Sequence, residues 1–219
     1  MQTRRLLDTT QSQLLWTASS SASMHGILMA AAEEFAVKGF HGATTRDIAR
    51  RAGLSPAAMY QHYESKEEVL NDLILVTHEA ILARMEEAQL VASDPVQRLR
   101  WVVTVLATFH AEIKILTRLA SNELHCLSTT HREPIVEMRR RMYLLIKRCL
   151  VEGVAVGRFA TTDANMATLA IISMAIGVSQ WFSPTGPLTA QQVGAYYGSL
   201  AIAVASRDSS VSTALTAPS

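Results

Sequence analysis

Very little in this 219-residue chain interrupts a helix. It has ten glycines and six prolines, and most stand at the edges of long apolar-periodic stretches. An almost wholly helical protein is expected. Two cysteines, Cys126 and Cys149, are too few for a disulfide framework and fit a reducing cytoplasm. No run of eighteen apolar residues occurs, so no membrane span is expected, and the richest tract, "MATLAIISMAIGVSQWF", reads as a buried helix. The start, "MQTRRLLDTTQSQLLWTASSSAS", has Arg4 and Arg5 but no apolar run behind them, which argues against a secretory signal. Neither sign of charge is in excess, the net being +1. Local signatures of catalysis are also missing: there is no Gly-rich phosphate loop and no Ser-His-Asp or Cys-His motif. The chain is not expected to be an enzyme or to carry a cofactor.

What is present is 49% hydrophobic residues, enough for a sizeable core. The Ser/Thr/Gln-rich residues 1–21 and the tail 207–219 are expected to be disordered. A first helix is predicted over about 23–38, with Ile27, Ala31 and Phe35 on one stripe and Gly39 ending it. Thr44 caps a second, very short helix, with Asp47 completing a capping-box-like pattern, and Gly53 stops it. In "LSPAAMYQHYESK", Ser55 caps another short helix and Pro56 suits its first position. Two short helices joined by a tight Gly turn form a helix-turn-helix. A long helix follows from Ser65 to about Leu90, striped by Leu70, Ile74, Thr77, Ile81 and Met85. Further helices are predicted from Pro95 to about Ile113, onward to near Ser128, from Pro134 to about Val156, from Asp163 to Phe182, and from Thr189 to about Ser206. The count is about nine helices and no strand. A helix-turn-helix segment at 22–67 and a larger helical body at 68–206 are expected.

In a helix-turn-helix the second helix enters the major groove by its N-terminal end. Ser55, Pro56, Ala57 and Ala58 lie at that end, and small side chains permit close approach to base edges. Arg46 and Gln61 are the expected base readers, since Arg suits guanine and Gln suits adenine. Tyr60, His62 and Lys66, with the hydroxyls of Thr44 and Thr45, are placed to reach phosphates. Met59 and Tyr63 should face inward. Residues 1–66 hold seven basic and five acidic side chains, a slight positive bias that agrees.

The tract "AAEEFAVKGFHGATTRDIARRAGLSPAAMYQHYESKEEVL" resembles the TetR family of transcriptional regulators. The pattern is carried by Thr44, Ile48, Ala49, Ala52, Gly53, Leu54, Ser55, Tyr60, Tyr63, Ser65, Lys66 and Glu67. Pro56, Ala57 and Ala58 depart from it, because many relatives have Lys or Arg with Gly or Thr there. The resemblance implies an all-α protein: a three-helix head and a larger helical ligand-binding and dimerising body. It also implies a homodimer on a palindromic double-stranded operator, acting as a ligand-released repressor in the cytoplasm. The last two helices would build the dimer interface, through Val193, Tyr197, Leu200 and Val204 and through the small Ala167, Ala170, Ala175 and Gly177.

A second resemblance sits in "QWFSPTGPLTAQQVGAYYGSL". It is similar to the branch of the family that regulates fatty-acid, phenylacetate and steroid breakdown, whose effectors are acyl-CoA thioesters. Trp181, Phe182, Pro184, Gly186, Pro187, Leu188 and Thr189 match, whereas Gln180 stands where relatives often place Arg. Phosphate-binding cations would then have to come from Arg118, Arg139, Arg140 or Arg141. Apolar stripes at Trp101, Val105 and Phe109 and at Met174, Val178 and Trp181 are candidate pocket walls, with Asn122 and Glu123 orienting a polar group. The competing readings are a helical enzyme or carrier without operator affinity and an interaction module without a ligand. His125, Cys126 and His131 are potential metal ligands, but neighbours on a helix point apart, so no metal site is expected. Cys149 is expected to be a small buried hydrophobe.

Overall fold

The computed structural model describes residues 22–206, so the expected disorder of 1–21 and 207–219 lies outside the described residues. Among the described residues there are nine α-helices, one 3-10 turn and no strand. They are α1 (Ala22–Gly42), α2 (Thr45–Ala52), α3 (Pro56–Tyr60), α4 (Lys66–Leu90), α5 (Pro95–Glu112), α6 (Lys114–Asn122), the 3-10 turn Leu124–Cys126, α7 (Thr129–Ala155), α8 (Ala164–Trp181) and α9 (Ala190–Ala205).

The chain forms two compact units. The first takes the residues up to Ala80 together with Ile113–Arg139, and the second takes Ile81–Glu112 and the chain from Arg140. The unit holding the helix-turn-helix thus extends past residue 67, because α6 packs on α1. Its core is built on Ile27, Phe35, Ile48, Met59, Leu70 and Ile74, all at most 2% exposed. The predicted stripes of α1 and α4 are therefore core faces, as their 3.6-residue period requires.

Helix ends follow local chemistry. Gly39 leaves the helical region at φ 70°, so α1 proper stops there, and a single turn carries the chain to Gly42. Asp163 accepts from the N–H groups of Asn165 and Met166 at the start of α8. Thr189 and Gln192 form a reciprocal capping box at the start of α9. The middle of the chain differs from expectation. The helix predicted to run to Ser128 ends at Asn122, and α7 begins at Thr129, so Pro134 lies inside it. The reason is a distant carboxylate: Glu67 Oε1 accepts from the Ser128 N–H at 2.7 Å and contacts His131 Nδ1 at 2.9 Å. Ser128 Oγ also accepts weakly from the His131 N–H. The start of α7 is thus held five residues before the proline.

In the second unit α5 and α9 pack closely. A Cβ on Gly194 would lie 1.9 Å from Thr108 Oγ1 and 2.8 Å from the Thr104 carbonyl; one on Gly198 would lie 2.7 Å from the Arg100 carbonyl. Close approach within the chain therefore uses glycines of α9. Of the small α8 residues, Ala167 and Ala175 are buried in the protomer, while Ala170 is exposed and Gly177 half-buried. On α9, Val193 is buried, and Tyr197, Leu200 and Val204 are half-buried.

Candidate nucleic-acid interface

The helix-turn-helix is set by short-range caps. Thr44 Oγ accepts from the Asp47 N–H at 3.1 Å and donates to Asp47 Oδ2 at 2.8 Å. Gly53 closes α2 in the left-handed region, φ 72°, with its N–H on the carbonyls of Ala49 and Arg50. Ser55 Oγ accepts from the Ala58 N–H, and Pro56 occupies the first position of α3. Met59 and Tyr63 are buried as expected, 1% and 5% exposed. Burial, with the Asp72 and Glu68 carboxylates nearby, pushes the Tyr63 phenol well above its ordinary range.

A charged clamp locks α2 to α1. Arg51 Nη1 donates to Glu33 Oε2 at 2.7 Å and its Nε to Glu34 Oε1 at 2.6 Å; both carboxylates are buried. Lys38 bridges Glu34 at 2.9 Å and Asp47 at 3.0 Å, and Arg50 pairs with Asp47. Burial pushes Glu34 up, but the hydrogen bonds from Lys38 and Arg51 outweigh it and leave the group below its ordinary value. Hydrogen bonds from Lys38 and Thr44 hold Asp47 at about 2. The contribution of Asp47 to stability is in place above its ordinary value of 3.8 and is lost as pH falls towards 2.

The clamp leaves a surface. Thr44, Arg46, Ser55, Pro56, Ala57, Tyr60, Gln61 and His62 are exposed, and Thr45 and Ala58 are half-buried. Thr45 Oγ and Tyr60 Oη lie 3.1 Å apart, tying the two short helices together through groups expected at phosphates. Among the described residues Arg46 makes no hydrogen bond or ion pair, unlike Arg50 and Arg51 beside it. Lys66, expected to reach a phosphate, also holds the end of α1. Its ammonium donates to the carbonyls of Phe40 at 2.5 Å and Ala43 at 2.8 Å, reaches that of His41 at 3.5 Å, and lies 4.3 Å over the Phe40 ring. It satisfies the carbonyls released where α1 breaks at Gly39.

The candidate ligand residues divide between the units. In the second unit Phe109 and Val178 are buried, and Val105 and Met174 are half-buried. Trp101 and Trp181 are 44% and 51% exposed, which removes them from the interior of a single chain; Trp181 stacks on Tyr197 instead. Arg84 lies 5.2 Å over the Phe109 ring and 3.8 Å from Glu112, which also accepts from Gln191. Sequence pattern missed this polar group because its members come from three helices. Asn122 and Glu123 belong to the first unit, where Glu123 accepts from the Phe40 N–H and from the Cys126 thiol. Arg139 is also committed there, to His78 and to the Ala120 carbonyl. Arg141 pairs with Glu86 in the second unit. The Trp181–Thr189 tract builds the corner between α8 and α9: Gly186 donates back to the Ser183 carbonyl, and Thr189 caps α9.

The family model described as bacterial regulatory proteins, tetR family, matches residues 27–73. That described as tetracyclin repressor-like, C-terminal domain, matches 92–205. The HTH-type transcriptional repressor KstR2 of Mycolicibacterium smegmatis is 31% identical over 193 residues, covering 83% of this chain and 90% of that protein. A regulatory protein of the tetR family from Rhodococcus RHA1 superposes with a TM-score of 0.80 at 34% identity, covering 85% of this chain and 98% of that one. KstR2 of Mycobacterium tuberculosis, described as a ketosteroid transcriptional regulator, shares the fold, with a TM-score of 0.80 at 24% identity over 88% of this chain and 99% of that one. A capped helix-turn-helix inside one matched segment and the α5–α9 bundle inside the other lead to one assignment: this chain belongs to the TetR family of DNA-binding transcriptional regulators.

Proposed function

We propose that this chain is a homodimeric cytoplasmic repressor that holds a roughly palindromic operator and releases it on binding a large apolar carboxylate or its acyl-CoA thioester. Regulators of the family bind operator DNA, form dimers and bind small-molecule effectors. The observation that carries the reading is the exposed edge of Arg46, Ser55, Pro56, Ala57 and Gln61, with the half-buried Ala58, on helices fixed by a buried ion clamp. The small residues allow α3 into the groove, Arg46 and Gln61 supply base contacts, and Tyr60, His62, Thr44 and Thr45 line the backbone. With so few direct donors, sequence preference leans also on DNA shape. Dimerisation accounts for α8: by length and composition it is apolar enough to cross a membrane, yet only 33% of that window is buried in the protomer. Met166, Leu169 and Trp181 on α8, with Tyr196 on α9, are the apolar surface a second copy would cover.

Arg46 and Lys66 separate DNA contact from structure. Arg46→Ala should weaken specific operator binding by about 1–3 kcal/mol and leave the melting temperature unchanged. Lys66→Met should lower folding stability by about 1–3 kcal/mol, since carbonyls lose their donor. Binding titrations over a salt series, beside thermal melts, check both. A Lys66→Met protein of normal stability with a salt slope flatter by about one unit would return Lys66 to the phosphates.

The effector proposal rests on the relationship to KstR2 and on the Trp181–Thr189 likeness to acyl-CoA-sensing regulators. Phe109, Val178, Val105 and Met174 are the proposed apolar walls. A ligand shifts operator binding only through differential affinity for two arrangements of the protein. Calorimetry with an acyl-CoA series and the matching free acids, at low and high salt, tests the class. Thioester binding should weaken as salt rises, because exposed charge pairs are screened over about 8–10 Å. Equal, salt-independent affinity for ester and acid removes the CoA portion, and no binding by either series removes the class.

A further inference from the structure

The last turn of α1 and the 3-10 turn after α6 bring together three side chains far apart in sequence. Cys126 Sγ lies 3.5 Å from His125 Nε2 and 3.7 Å from His41 Nε2, and all three atoms fall within 4.8 Å of one another. Glu123 Oε2 accepts from the same sulfur at 3.4 Å. A thiol has one proton to give, and here two imidazole nitrogens and a carboxylate surround it. The sequence pair His125–Cys126 has no chelating spacing on an α-helix, but the tighter 3-10 turn directs both side chains to one point, and His41 arrives from 84 residues earlier. His131, the third ligand the sequence suggested, is instead with Glu67.

The distances are those of a metal site. With a metal–sulfur distance of about 2.3 Å and metal–nitrogen distances of about 2.0–2.1 Å, a tetrahedral ion sets sulfur and nitrogen about 3.5 Å apart. The two sulfur–nitrogen separations, 3.5 and 3.7 Å, are close to that value before any ion is added. The outer contacts are also in place. The Asn122 carbonyl lies 2.8 Å from His125 Nδ1, which fixes the proton there and turns the Nε2 lone pair to the cluster. The backbone carrying His41 is pinned by Lys66 on its carbonyl and by the Phe40 N–H on Glu123. His41 and His125 are exposed, so the site is open to entry.

We propose that His41 Nε2, His125 Nε2 and Cys126 Sγ bind a zinc ion, clamping the end of α1 to the turn after α6. One thiolate and two imidazoles suit zinc. The thiol proton leaves on metallation, and the thiolate with the adjacent Glu123 carboxylate balances the 2+ charge. Water takes the fourth position. His41 stands three residues before the Thr44 cap of α2, so the ion would brace the segment that carries the reading helices.

The test uses the full chain, reduced and stripped with chelator, titrated with Co2+ as a spectroscopic probe and then with Zn2+. One equivalent of Co2+ should give tetrahedral d–d bands and a thiolate charge-transfer band, both abolished by Zn2+. The Cys149→Ser control, altered at the other cysteine, should keep both bands. Cys126→Ser should lose the charge-transfer band. Circular dichroism establishes that each variant is folded. An octahedral cobalt spectrum, or equal zinc affinity in wild type and Cys126→Ser, overturns the proposal. None of these readings depends on operator or effector binding.

Discussion

Arg51→Met should destabilise the protein by about 3 kcal/mol and abolish operator binding with it, although Arg51 is not placed to touch DNA. Glu33 and Glu34 are 5% and 4% exposed, and the guanidinium reaches both. Removing one partner of a buried ion pair leaves charge without its counter-charge and costs about 3–5 kcal/mol. The lower end applies because the Arg51 side chain is 25% exposed and Lys38 still holds Glu34. α2 would lose its anchor on α1, and α3 packs on α2. Urea unfolding of the variant, with operator titration at the same temperature, gives the result. A stability loss below about 1 kcal/mol would show that the clamp is ornamental. Changing Glu33 and Glu34 to Gln together with Arg51→Met should restore much of the loss, since neutralising a whole buried cluster costs far less than breaking it.

The clamp also shows what could be read from the sequence. Thr44 and Ser55 were legible as caps, and Asp163 and Thr189 as helix starts, because a cap acts within three residues of itself, and all four side chains accept backbone N–H groups. Gly39 and Gly53 were legible as helix ends, and each has a positive φ. The Glu34–Lys38 pair has ordinary helical spacing. Arg51 is 17 and 18 residues from its partners, and nothing local marks it. Glu67 acts on Ser128 across 61 residues, which is why the boundary between α6 and α7 was misplaced. The exposure of Trp101 and Trp181 was not legible, because apolar periodicity reports a face to be covered without saying whether the same chain covers it. Nothing local marks Gly194 and Gly198 as contact positions; the Thr104 and Arg100 carbonyls and the Thr104 and Thr108 hydroxyls opposite explain them.

The stability of the wild-type protein should fall steeply between pH 6.5 and 4, and His78 should account for up to roughly 3 kcal/mol of that fall. The ring is buried in α4. Its Nδ1 lies 2.8 Å from the Ile74 carbonyl and is the donor there, so Nε2 accepts from Arg139 Nε at 3.0 Å. A second ring proton would be driven against the guanidinium. Burial is the main cause that holds the imidazole down to about 4; Arg139 adds to it, and the Ile74 carbonyl opposes it. Above pH 6.5 the ring is neutral whether the chain is folded or not, and this group gives no pH dependence. Below that, the unfolded chain takes up a proton that the folded chain refuses, so stability drops with falling pH until the folded ring also titrates near 4. Arg139 Nη2 continues the chain of bonds to the Ala120 carbonyl, so one neutral imidazole joins α4, α7 and α6 in the unit that carries the reading helices. Denaturant unfolding at pH 7.5, 5.5 and 4.5 should show His78→Gln weaker at the first pH but with a much shallower acid slope. Parallel slopes in the two proteins would mean that the acid sensitivity lies with other groups and that protonation of His78 costs the fold nothing.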